Sequence, residues 1–190
     1  FRSKKNMFSN YIDKLIQMTK SFDEPVHFGN SPDLLNIAQL ASKDGIKVLL
    51  SGEGSDELFF GYNRMVRAHN FFKKNKSKKS IIEELFFGGG KHSKEYVNNI
   101  CGIKKQGVAK SSSWLWLEKN INNYSTNDLI TMFSQKFRLQ TLLQRQDRAG
   151  MLCGLEIRAP FLSKKIINFS NSLDFDYKFD SKTKNTKHIL

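Results

Sequence analysis

The chain has 190 residues, with 31 Lys and Arg against 18 Asp and Glu, for a formal net charge of +13. That length suits one domain with its own core; no stretch is long and apolar enough to span a bilayer, and the start lacks the apolar centre of a secretory signal. Cys101 and Cys153 stand far apart, with no C-x-x-C spacing and no histidine cluster beside them, so they read as buried free thiols of a cytoplasmic protein and not as a zinc or redox centre.

In chain order, Met7, Phe8, Tyr11, Ile12, Leu15 and Ile16 recur at helical spacing and predict an amphipathic helix over 6–20. Ser31 as N-cap, with Pro32 at the first helical position, opens a second helix that carries Leu34, Leu35, Ile37, Ala38, Leu40 and Ala41 on one face. Gly45 closes it. Ile46 to Leu50 is too short for a buried helix and rich in branched residues, so it predicts a buried parallel strand. Further helices are predicted over 62–74, 80–87, 93–100, 113–121, 126–137, 139–153, 163–172 and 183–190, with the glycines at 88–90 and the pair Asn122-Asn123 as breaks. Trp114 and Trp116 sit two apart and cannot share a helix face, so one of them packs into a neighbouring element. The fold class is α/β and predominantly helical. Helix, strand, glycine loop and helix in that order make half of a doubly wound unit, where ligands sit at the carboxyl ends of strands.

That loop reads SGEGSDELFFGY over residues 51–62. Small residues at Ser51, Gly52, Gly54 and Ser55 let backbone approach a ligand closely, and the amides opening the next helix point at an anion. Glu53, Asp56 and Glu57 add hard oxygen ligands, which suits a Mg²⁺ that screens carboxylate from phosphate. The same residues also suit a plain strand-to-helix turn, in which Ser51 or Ser55 caps the helix and the acids favour its dipole. In a second block, over 142–170, Arg145, Asp147, Arg148, Glu156 and Arg158 alternate in sign among apolar residues. For Glu156 and Arg158 this reads as a buried or half-buried ion-pair network that fixes helix packing, and Pro160 disfavours helical geometry at Ala159.

The segment VLLSGEGSDELFFGY resembles the signature that follows a central strand in the synthetase domain of glutamine-dependent asparagine synthetases. LLQRQDRAGMLCGLEIRAPFLSKKIINFS resembles the family's second conserved stretch, FDEP at 22–25 resembles its approach to the signature, and KNTKHIL resembles its K-x-x-L segment, all in the same order. The resemblance implies the C-terminal part of a doubly wound, parallel-sheet ATP-pyrophosphatase-type (HUP-like) domain over residues 1–190. It implies an enzyme that uses ATP and Mg²⁺ to adenylate a carboxylate such as aspartate, and then forms an amide with ammonia from glutamine. Ser51 and Gly52 would contact the nucleotide, Asp56 would bind Mg²⁺, and Glu53 would act as general base or orient the substrate. Arg145 and Asp147 would face the amino-acid substrate, where an Arg can clamp a carboxylate, and Lys187 would touch phosphate.

The family's S-G-G-x-D-S phosphate loop and its glutaminase domain, with an N-terminal Cys nucleophile, are not among these residues, so the 190 residues read as a piece expected to be inactive alone. Phe60 stands where a Gly is usual, Gly150 where a Ser is usual, and Ser163 where an Asp is usual. Glu53 matches the glutamate that marks asparagine synthetases and not β-lactam synthetases, which favours ammonia transfer. The competing class is a non-catalytic basic module that binds nucleic acid or another polyanion on a degenerate synthetase scaffold. Its best feature, KKNKSKK at 73–79, lacks interleaved aromatics and reads as a solvated loop, so no nucleic-acid partner and no membrane partner is expected.

Overall fold

The computed structural model describes residues 4–22, 26, 28–75, 77–87 and 111–190. In chain order the described elements are α1 (Lys4–Phe22), α2 (Ser31–Lys43), β1 (Val48–Leu50), α3 (Ser55–Phe59), α4 (Asn63–Lys74), α5 (Lys78–Phe87), α6 (Ser112–Asn120) and α7 (Thr126–Phe133). A π-helical segment (Ser134–Arg138) then leads into α8 (Leu139–Met151), followed by β2 (Glu156–Arg158), a 3₁₀ turn (Pro160–Leu162), α9 (Lys164–Ser172), α10 (Phe175–Lys178), β3 (Phe179–Asp180) and β4 (Asn185–Thr186). The chain is α/β and mostly helical, with one small parallel sheet. None of the described helices is long and apolar enough to cross a membrane. The helix expected at 93–100, the glycine run and Cys101 lie outside the described residues.

Two compact units emerge, Phe1–Glu53 with Gln140–Ser163, and Gly54–Leu139 with Lys164–Leu190. In the first, α1 and α2 bury Met18 and Leu35 with Ala149 of α8, while Ala38 and Ala41 pack on Leu155 and Leu49. Asn30, not Ser31, precedes the first turn of α2, and it makes no cap bond because its Oδ1 accepts from Arg145 Nη1 at 2.6 Å. Gly45, at φ +76°, closes the helix as predicted, with Gly45 N–H donating to Ser42 O and Ile46 N–H to Ala41 O.

β1 and β2 run parallel, with Val48 opposite Glu156 and Leu50 opposite Arg158. The parallel strand was predicted, but it is shorter than predicted and not buried. Val48 is 40% exposed and Leu50 73%, because among the described residues β1 pairs with β2 alone and only Leu49 turns toward the helices. Glu156 and Arg158 do pair, Nε to Oε1 at 2.9 Å and Nη2 to Oε2 at 3.0 Å, yet they stand in the open. The expected buried or half-buried network is instead a surface fork between alternate residues of a strand, a pair of small energetic weight. Gly150 has no room for the usual serine, since a Cβ there would meet Leu155 O at 2.8 Å and Ile157 Cγ1 at 3.0 Å.

The second unit is built on aromatic and aliphatic side chains, with Phe60, Met65, Phe72, Leu85, Leu117, Leu129, Ile130, Phe133 and Phe179 buried together. α4, α5 and α6 fall within a residue or two of the predicted positions. The helices predicted over 126–137 and 139–153 form one run, because no Gly or Pro separates them and a π-helical turn at Ser134–Arg138 takes up the extra residue. Both tryptophans are engaged, Trp114 edge-on to Phe86 and Trp116 against Tyr124, Phe133 and Phe137. The helix predicted over 183–190 is instead the end of the β3–β4 hairpin. Asp180 accepts from Lys182 N–H at 2.8 Å and Thr183 Oγ1 at 2.6 Å, while Lys184 and Lys187 take positive φ of 60° and 52°, which breaks any helix.

Candidate active site

In the first unit the loop begins where β1 ends. Ser51 N–H donates to Arg158 O at 2.8 Å, which continues the parallel ladder by one residue. Its hydroxyl donates to Gln146 Oε1 at 2.8 Å, and Gln146 Nε2 in turn donates to Ile157 O at 3.3 Å. Ser51 is thereby fixed by both β2 and α8. Gly52 is exposed, with nothing within 4 Å of where a Cβ would stand, so the backbone there is open to a ligand. Glu53 receives Arg145 Nη2 on Oε1 at 2.8 Å, while Oε2 has no described partner. Arg145 also reaches Asn30 and lies 4.9 Å over the Phe28 ring, so its guanidinium is held on three sides. Asp147 lies exposed on the same helix.

In the second unit Asp56 occupies the first turn of α3, and its Oδ1 pairs with Lys187 Nζ at 3.0 Å. Lys187 is anchored through its own amide, which donates to Phe59 O at 3.2 Å. The expected capping serine is absent, since Gly54 precedes the helix in a left-handed conformation and no side chain caps it. Gly61 packs on Asp56, with its amide donating to Asp56 O at 2.9 Å, and a Cβ on Gly61 would fall 1.8 Å from Asp56 Oδ1 and 2.9 Å from its Cα. Because a backbone atom is among those contacts, Gly61→Ala is expected to cost about 1–3 kcal/mol in denaturant unfolding. An alanine variant of unchanged stability would show that the carboxylate is not pressed against this glycine.

Glu57, expected as a third oxygen ligand, is fully buried and accepts from Tyr62 OH at 2.7 Å. Burial first, and the Glu57 carboxylate second, push the Tyr62 phenol well above its usual range. The acids of the loop thus have separate duties, and among the described residues no group of three or more His, Cys, Asp or Glu could hold a metal ion. A cation that arrives with phosphates needs only one or two protein carboxylates. Asp56, partly exposed, fits that role. Sequence reasoning missed Gln146 and Asn30, the residues that hold Ser51 and Arg145. Gln146 had a signal, since it lies between Arg145 and Asp147 in the second block, whereas Asn30 had none.

Residues 4–190 match the family model for asparagine synthase. A putative asparagine synthetase [glutamine-hydrolyzing] of Methanocaldococcus jannaschii is 24% identical over 88% of this chain and 22% of that protein. Asparagine synthetase [glutamine-hydrolyzing] 1 of Bacillus subtilis is 24% identical over 95% of this chain and 33% of its own length. A probable asparagine synthetase [glutamine-hydrolyzing] of Acanthamoeba polyphaga mimivirus is 30% identical over 44% of this chain. No solved structure matches. The chain spans a third or less of the length of these curated relatives, and with its match running from end to end, it belongs to the asparagine synthase family.

Proposed function

We propose that this chain is part of a cytoplasmic ligase that activates a carboxylate with ATP and converts it to an amide with ammonia drawn from glutamine. The observation that carries this reading is the accessible Asp56–Lys187 pair at the start of α3, a carboxylate and an ammonium suited to a cation and a phosphate. We read β1 and β2 as two strands of the doubly wound ATP-pyrophosphatase-type sheet.

On this reading the substrate carboxylate oxygen attacks the α-phosphorus of ATP, and the bond to pyrophosphate breaks. Ammonia then attacks the acyl carbon, the bond to AMP breaks, and a proton leaves the nitrogen. Such chemistry depends on positioning and charge screening. Ser51 and Gly52 offer the nucleotide a fixed hydroxyl and an unobstructed backbone. Asp56 would hold Mg²⁺, which supplies charge screening for the phosphates. Lys187 exchanges its carboxylate partner for a phosphate oxygen when both enter. Arg145 fixes Glu53 by one oxygen, which leaves Oε2 to orient ammonia or receive its proton. With Arg145 committed to Glu53 and Asn30, we assign it to positioning Glu53 at the substrate carboxylate; Asp147, two residues on and exposed on another face of α8, is left out of that cluster.

The test is ATP–pyrophosphate exchange by the protein as its gene encodes it. Exchange that requires both Mg²⁺ and a carboxylic acid such as aspartate is expected. Mg·ATP binding without exchange for any carboxylate offered would overturn the reading.

A further inference from the structure

Between α4, α5, α7 and the π-helical segment lies a cavity lined by Arg64, Ala68, Glu84, Leu85, Ser134 and Arg138 among others, with room for a single water-sized occupant. We propose that this cavity binds a small monovalent anion of halide size, held between the guanidinium groups of Arg64 and Arg138. Neither guanidinium has a carboxylate within ion-pair distance among the described residues. Arg64 spends its charge on the face of Tyr62, 4.1 Å to the ring centre, and its Nε is buried without a hydrogen-bond partner. Arg138 donates through Nη2 to Leu85 O at 3.1 Å, a neutral acceptor, and lies 5.8 Å over the Phe133 ring. Two like charges therefore meet at the edge of an apolar core with donors to spare.

Electrostatics point the same way. Burial, and then the neighbouring Arg64 charge, lower the Arg138 guanidinium to about 10, so the pair is under strain that an anion would relieve. Buried Glu57 offsets part of this charge but is bonded to Tyr62. Glu84 lines the same cavity without an ion pair to either arginine; burial pushes its carboxyl up, and the charge it feels is that of Arg67. A neutral water would satisfy Arg64 Nε and leave the repulsion untouched. The π-helical turn that delivers Arg138 is a rare geometry that recurs at ligand sites.

Thermal unfolding at fixed ionic strength tests the proposal, with chloride or bromide replacing gluconate, which is too large to enter. A saturable rise in Tm of about 3–6 °C is expected for both halides at roughly tenfold over their Kd. Arg64→Met should abolish that increment, and Glu84→Gln should shift the rise to lower halide concentration. A Tm that follows ionic strength alone, or an increment that survives Arg64→Met, overturns the site. Should Arg64→Met fail to fold, bromide-soaked crystals of the unaltered protein decide the matter. An anomalous peak between the two guanidinium groups is expected, and a water there without bromide overturns the proposal.

Discussion

Phe60→Ala is expected to destabilise the protein by about 3–5 kcal/mol, as deletion of a buried ring does, whereas Phe60→Gly should cost about 1 kcal/mol less than the alanine change. That order reverses the usual one. Phe60 is fully buried and makes edge contacts with Phe175 at 4.8 Å between ring centres, with Phe179 and His69 close by. Its backbone, however, is left-handed at φ 60° and ψ 45°, a conformation that costs a residue with a side chain roughly 1–2 kcal/mol. Glycine would lose the ring and regain the backbone term, while alanine would lose the ring and keep the strain. Midpoints of denaturant unfolding for the three proteins check this. A glycine variant no more stable than the alanine one would show that residue 60 is not held left-handed.

The functional consequence lies one residue on. Gly61 donates to the Asp56 carbonyl and presses against its carboxylate, so the turn that Phe60 anchors also sets where Asp56 stands. A position where the resemblance expects Gly is filled here by a residue that trades backbone strain for core packing.

The glycine-spaced acids, the short branched strand and the following helix were legible in the sequence because each depends on local chemistry: turn-forming residues, branched side chains and apolar periodicity. The Asp56–Lys187 pair was legible in its members, each named as a site residue, but not as a contact between residues so far apart in sequence. Glu57 could not be told from Glu53 and Asp56 by type, because only packing shows that it turns inward to Tyr62. The final hairpin was missed because its left-handed positions are lysines, with no glycine to announce the turn. β2 carried the alternation of a strand, exposed Glu156 and Arg158 around half-buried Ile157, but three residues are too few for periodicity to decide.

The reading of this chain as the carboxylate-activating part of an amide-forming ligase rests on Asp56 meeting a cation and phosphates. Its most direct measurement compares Asp56→Asn with Glu156→Gln in ATP–pyrophosphate exchange by the protein as encoded. Loss of the only accessible acid on α3 should lower exchange by about 100-fold or more, the scale set by removing one charge-stabilising group. Loss of an exposed surface partner of Arg158 should leave it within about twofold. Equal losses in the two variants, or full exchange by Asp56→Asn, would contradict the account.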